Sequence, residues 1–253
     1  ICYQPFLVYL LLLIYDINKR KLYHNEWSII MQKKKSHSFI ITAILAVLSV
    51  LFTILVRKFD VDAIGPNKSE IGFSGLNSFI HELSGVNMLW YHITDWLGLV
   101  PVFTAFIFAI VGLCQLVKRK NLFKVDSSII ILGCFYIIVI AVYIFFESYI
   151  INYRPILING ILEASYPSSH TLMTICLMYA AVTECDILIK SKKTNKIIRF
   201  VSYLIIAITV IGRLISGVHW FTDIIGGILI SSALIMFYNS VLYHFEHTIN
   251  KFK

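Results

Sequence analysis

Long apolar runs separated by short charged stretches set the pattern of this chain. Six runs are apolar over a bilayer's depth: roughly 39–56, 98–117, 128–146, 171–189, 200–216 and 224–243. About 20 such residues suffice for one crossing as a helix. In lipid a segment must satisfy its own backbone hydrogen bonds, so the pattern predicts an all-α integral membrane protein, a six-transmembrane-helix bundle. The fifth run is the shortest, being continuously apolar only to Ile211. Near the start, Phe6 to Tyr15 is apolar over about half the length needed to cross. The first methionine is Met31, followed at once by Gln32, Lys33, Lys34 and Lys35. Residues 1–30 therefore read as an upstream extension, and 31–253 as a single membrane domain.

Composition agrees with the pattern. Hydrophobic residues make up 58% of the chain, charged residues 14%, and the mean hydropathy is +0.79. Soluble domains carry about 25% charged residues. The net charge of +8 changes meaning once it is mapped onto the spans. Connections on the side of both termini hold fourteen lysines and arginines (Lys33–35, Lys118 to Lys124, Lys190 to Arg199, Lys251 and Lys253), and the opposite connections hold five. This positive-inside bias places both termini in the cytoplasm of a multi-pass plasma-membrane protein. The charge is a topology signal and gives no ground for a nucleic-acid partner. Five cysteines, none in a CxxC pair, lie mostly in apolar runs and read as small buried hydrophobes rather than metal or disulfide residues.

The same count gathers chemistry on the extracytoplasmic side. Arg154, His170, Arg213, His219 and Asp223 all fall near the outer ends of spans three to six. His219 and Asp223, four apart, share one helix face. A carboxylate there can accept the Nδ1–H of the imidazole and free Nε2 to attack phosphorus; the pair serves equally well as a structural clasp. Arginines beside apolar spans are functional candidates by default, with snorkelling to the interface as the alternative. Two guanidinium groups converging on two histidines can hold phosphate oxygens and stabilise the transition state. Pro167-Ser168-Ser169-His170 reads as a helix start whose free N–H groups attract an anion. His170 would then be close enough to act as general acid, although capping alone also accounts for the serines.

Arg154-Pro155, Pro167-Ser168-Ser169-His170 and Arg213-x5-His219-x3-Asp223, in this order and spacing, resemble the motifs of the type 2 phosphatidic acid phosphatase superfamily of membrane lipid phosphatases. The likeness extends over roughly residues 39–243. It implies a six-helix bundle with an outward-facing site that uses no cofactor or metal. It further implies that His219 is the nucleophile, Asp223 its orienting partner and His170 the acid, with Arg154, Arg213, Ser168 and Ser169 forming the phosphate cup. Three positions depart from the family pattern. Glu147 stands where a lysine is usual, and either repels phosphate or pairs with Arg154 or Arg213. Gly212 replaces a serine, losing a hydroxyl contact, and Ser169 replaces a glycine.

Between the first two spans, Phe73–Trp96 mixes apolar residues and tryptophans at near-helical spacing with His81, Glu82, His92 and Asp95. It reads as an interfacial helix, either a plain anchor or a roof over the site. Its acidic and histidine residues match no zinc spacing. The expected activity is hydrolysis of a lipid phosphate or pyrophosphate, in the class of undecaprenyl pyrophosphate, phosphatidate, phosphatidylglycerol phosphate or diacylglycerol pyrophosphate. A weakened lipid-phosphate binder is the alternative that Glu147 and Gly212 raise. A transporter is a third reading, opposed by spans almost free of interior charge.

Overall fold

The computed structural model describes residues 38–251, with side chains through residue 245. The N-terminal segment, with the expectation attached to residues 1–30, lies outside the described residues. Among the described residues, six helices are long and apolar enough to cross a membrane. In chain order the helices are α1 (Ser38–Lys58), α2 (Ser74–Ser84), α3 (Met88–Leu97), α4 (Leu99–Arg119), α5 (Ser127–Ser148), α6 (Ser169–Leu188), α7 (Lys192–Ile215) and α8 (Phe221–Lys251).

The apolar runs located the spans and missed several boundaries. α7 starts eight residues before its apolar run, at a basic first turn that Ser191 caps through its hydroxyl and the Thr194 N–H (3.3 Å). A side-chain cap relieves one orphan N–H, so polar residues extend a helix that apolarity alone would begin later. The second span also starts earlier than its apolar run. α3 continues through Gly98, itself in helical conformation, into α4, so that Met88–Arg119 forms one apolar stretch. The single interfacial helix expected over Phe73–Trp96 is instead two helices joined by a turn at Gly85.

α6 is the axis of the bundle. Of its most apolar window 56% is buried inside the protein, against 11% for α1, and it packs on α4, α5, α7 and α8. The largest apolar cluster joins Leu132, Phe135 and Val139 of α5 to Leu172, Cys176 and Ala180 of α6 and to Tyr238 and Leu242 of α8. Phe135 and Tyr238 stack with ring centroids 4.6 Å apart. Within this core lies a polar side chain the apolar pattern understated: Glu184 is fully buried and accepts from the Tyr238 hydroxyl at 2.8 Å. At the other end of α8, Gly226 and Gly227 let α8 close on the neighbouring chain. A Cβ at Gly226 would meet the Tyr166 ring at 2.3 Å, and one at Gly227 the Thr171 methyl at 3.0 Å. Small residues permit such approach where lipid offers no hydrophobic drive.

The helix ends then define the site. The C-terminal ends of α5 and α7, the N-terminal ends of α6 and α8, and the α3–α4 junction share one end of the bundle.

Candidate active site

The segment between α5 and α6 folds back on itself. Asn159 (φ 51°) and Gly160 (φ 77°) form a tight turn closed by paired backbone bonds between Ile158 and Ile161. Positive φ at both central residues is the requirement of a two-residue hairpin turn, which Asn-Gly meets at least cost. Further in, the Arg154 N–H donates to the Glu163 carbonyl (3.1 Å) and the Ser165 N–H to the Asn152 carbonyl (2.9 Å). The hairpin thus carries Arg154 in on one arm and Ser165 in on the other. A cis Tyr166–Pro167 bond leads into α6. Tyr166 is buried, which pushes its phenol up to about 12, and its hydroxyl lies 2.8 Å from Thr53 of α1.

His219 lies in the α7–α8 connection, 3% exposed. That connection passes the α2–α3 turn so closely that a Cβ at Gly217 (φ 64°) would be 2.0 Å from the Gly85 carbonyl. The expected direct bond from His219 to Asp223 is replaced by a relay. Nδ1 is 3.9 Å from Asp223 Oδ2, too long for a hydrogen bond, and 3.0 Å from Ser165 Oγ. Ser165 donates its own proton to Asp223 Oδ2 at 2.5 Å. A hydroxyl that gives its proton to the carboxylate can only accept from the ring. Nδ1 therefore carries the hydrogen and Nε2 the lone pair. Asp223 is fully buried and held by the Trp220 N–H (2.9 Å) and Asn152 Nδ2 (3.4 Å). Burial, with the Arg154 and Arg213 cations facing it, holds the His219 imidazole well below its ordinary range and keeps it neutral.

The two arginines converge from different elements. Arg213, in the last turn of α7, is fully buried and donates Nη2–H to Asp95 Oδ1 of α3 at 3.1 Å. Its guanidinium carbon stands 5.2 Å from the Tyr91 ring centroid. Arg154 Nε faces Glu163 Oε2 at 3.1 Å. Neither arginine pairs with Glu147, as one sequence expectation had it, because nearer carboxylates take them. Glu147 is instead an exposed residue of the last turn of α5, lining a narrow cleft with Tyr143, Ser165, Ser169 and His219.

The serines do not cap as expected. Ser168 occupies the N-cap of α6, yet its side chain makes no capping bond. Among the described residues its buried Oγ has no hydrogen-bond partner, and neither do Arg154 Nη1, Arg213 Nε and Nη1, and His219 Nε2. Buried polar atoms are nearly always paired, so a set of them gathered at one place marks a position shaped for an anion. His170, in the first turn of α6, joins them through Asp95: its Nε2 lies 3.2 Å from the same Oδ1 that Arg213 reaches.

Gly212 has a structural reason. A Cβ there would fall 2.5 Å from the Thr94 methyl and 3.0 Å from the Trp90 ring, so glycine is what allows α3 to lie against α7. Gly98 does the same over His170, whose Cδ2 would be 2.8 Å from an added Cβ. Sequence reasoning missed Ser165, Asn152, Glu163 and the role of Asp95. The Asn159-Gly160 dipeptide was the one local signal for the first three, since a hairpin there turns the arm of 152–154 back alongside that of 163–165, although the pairing shifts by two between Ile158–Ile161 and Tyr153–Ala164. Nothing local marks Asp95.

The PAP2 superfamily model matches residues 136–246, from α5 into α8, which contain every residue of the site except Asp95. No curated protein matches the sequence. Among solved structures, the first transmembrane PAP2-type phosphatidylglycerolphosphate phosphatase from Bacillus subtilis is similar to this chain in fold. The two share 17% identity with a TM-score of 0.54, over 84% of this chain and 98% of that one.

Proposed function

We propose, from the premise that this chain belongs to the PAP2 superfamily and is a membrane phosphatase, that it hydrolyses a lipid phosphate or pyrophosphate through a phosphohistidine at His219. The observation that carries this reading is the cluster of buried atoms without partners: Arg154 Nη1, Arg213 Nε and Nη1, Ser168 Oγ and His219 Nε2. A phosphoryl group among them meets donors for its oxygens and a lone pair for its phosphorus. His219 Nε2 bonds to phosphorus as the P–O bond to the lipid breaks, and His170 gives the leaving oxygen a proton. Water then attacks phosphorus, the N–P bond breaks and inorganic phosphate leaves. The Ser165–Asp223 relay holds the ring during both steps. The lysine and arginine count supports an extracytoplasmic position for this end of the bundle.

The substrate belongs to the undecaprenyl pyrophosphate, phosphatidate, phosphatidylglycerol phosphate or diacylglycerol pyrophosphate class. Glu147 at the cleft favours a second reading, a lipid-phosphate binder with weakened turnover. One assay separates the two. Phosphate release from a panel of these lipids is measured in detergent for the unmutated chain, His219→Ala and His170→Ala. The phosphatase reading expects release that His219→Ala abolishes and His170→Ala lowers roughly 100-fold or more. Binding of the lipids without release by the unmutated chain establishes the second reading.

A further inference from the structure

Asp95 belongs to none of the three sequence motifs, yet one of its oxygens lies 3.2 Å from His170 Nε2 and 3.1 Å from Arg213 Nη2. α3 delivers it there because Gly212 and Gly98 let the α3–α4 stretch run close over α7 and His170. Its side chain is 48% exposed while that of Arg213 is 0% exposed, so the carboxylate stands at the mouth of the site rather than behind it. We infer that Asp95 makes this site selective for a lipid phosphomonoester, whose leaving group is an alcohol, over a lipid diphosphate, whose leaving group is itself a phosphate anion. The inference rests on the phosphatase reading above and narrows it.

Geometry gives the first reason. A general acid must lie within hydrogen-bond reach of the oxygen it protonates. Whatever that oxygen carries is therefore beside His170, and so beside Asp95. An alcohol there meets an acceptor, whereas a second phosphate meets a like charge in a partly enclosed site, where repulsion is poorly screened.

Charge capacity gives the second. The two arginines already face Glu163 and Asp95, and Glu147 lines the adjoining cleft. The donors that remain without partners serve one phosphoryl group. Arg57, at the end of α1, is engaged with the ring and hydroxyl of Tyr149. A diphosphate would add negative charge where the two buried arginines already face carboxylates.

The third reason is chemical. When the P–O bond breaks, an alkoxide needs a proton, while a phosphate departs as a stable anion without one. A histidine acid built into the site thus serves the monoester above all.

The test uses the full chain in detergent micelles with phosphatidate and diacylglycerol pyrophosphate of identical acyl chains, following the initial disappearance of each lipid. The readout is the ratio of the two kcat/KM values, which is internal to each preparation and so survives partial loss of folded protein. The unmutated chain is expected to favour phosphatidate. Asp95→Asn keeps an acceptor oxygen and removes the charge, and should shift the ratio toward the diphosphate by roughly tenfold. Asp95→Glu keeps the charge and should keep the preference. Inhibition of the unmutated chain by inorganic phosphate and pyrophosphate gives a measurement free of variants, with phosphate expected to bind more tightly. A preference for the diphosphate, or a ratio unmoved in Asp95→Asn, overturns the inference and leaves the phosphatase reading standing. Release from neither lipid overturns both.

Discussion

Ser165 shows how much one hydroxyl can decide. His219 and Asp223 were legible as a pair because four residues on a helix share a face, yet the side chains stand 3.9 Å apart and Ser165 fills the gap. Its proton goes to the carboxylate, so it fixes which ring nitrogen carries hydrogen. Ser165→Ala should remove that bridge between the ring and the carboxylate. Loss of a hydrogen bond to a charged partner is worth about 1.5–3 kcal/mol, so kcat should fall roughly 10- to 100-fold with a smaller change in KM. Kinetics in detergent on a soluble short-chain lipid phosphate measure this. An unchanged kcat would show that Asp223 orients His219 without the serine. The sequence offered no direct sign of Ser165, which is 54 positions from His219 and meets it only through the hairpin.

Among the elements, α3 differs most from its reading in the sequence. Its tryptophans and apolar residues indicated a helix at the interface, and periodicity alone left anchor and roof equally open. Packing on α7 through Gly212 brings it beside Arg213 and His170, as the start of the second span. The replacement of a family serine by Gly212, which looked like the loss of a hydroxyl from the phosphate cup, is better read as the making of a helix contact. Gly212→Ala should force α3 away from α7. Overpacking of this kind costs about 1–3 kcal/mol, visible as a lower Tm in detergent and as reduced phosphate release. Adding Thr94→Ala removes the methyl nearest the new Cβ and should recover part of both. If Gly212→Ala alone raises Tm, the close contact is not limiting. The hairpin between α5 and α6 makes a parallel point: Asn159-Gly160 was readable in the sequence, but which residues it would bring inward was not.

At the scale of the whole molecule, the site exists because one end of the bundle collects the ends of α5, α6, α7 and α8 and the α3–α4 junction. The reading proposed from the charge count is that this end faces outward. Cysteine labelling checks it directly in a chain lacking its native cysteines. Asn159→Cys, at an exposed turn beside the site, should react with a membrane-impermeant maleimide on intact cells. Lys193→Cys, exposed at the other end of the bundle, should react only after permeabilisation. The reverse pattern would place the site in the cytoplasm.

The class of fold and the kinds of residue in the candidate site follow from the order of residues alone. Apolar runs of bilayer length admit little but helices, because unpaired backbone groups are too costly in lipid. Alternation of basic residues across those runs then gathers Arg154, His170, Arg213, His219 and Asp223 at one end. These are properties of single segments and their order, and they need no knowledge of packing. The rest depends on packing: Ser165 between His219 and Asp223, Glu163 beside Arg154, and Asp95 joining His170 to Arg213. Each of those contacts joins residues from different elements, and its distance depends on how closely two backbones approach. That approach is set by glycines and by a turned-back loop, whose effect is seen only when the partner surface is in place.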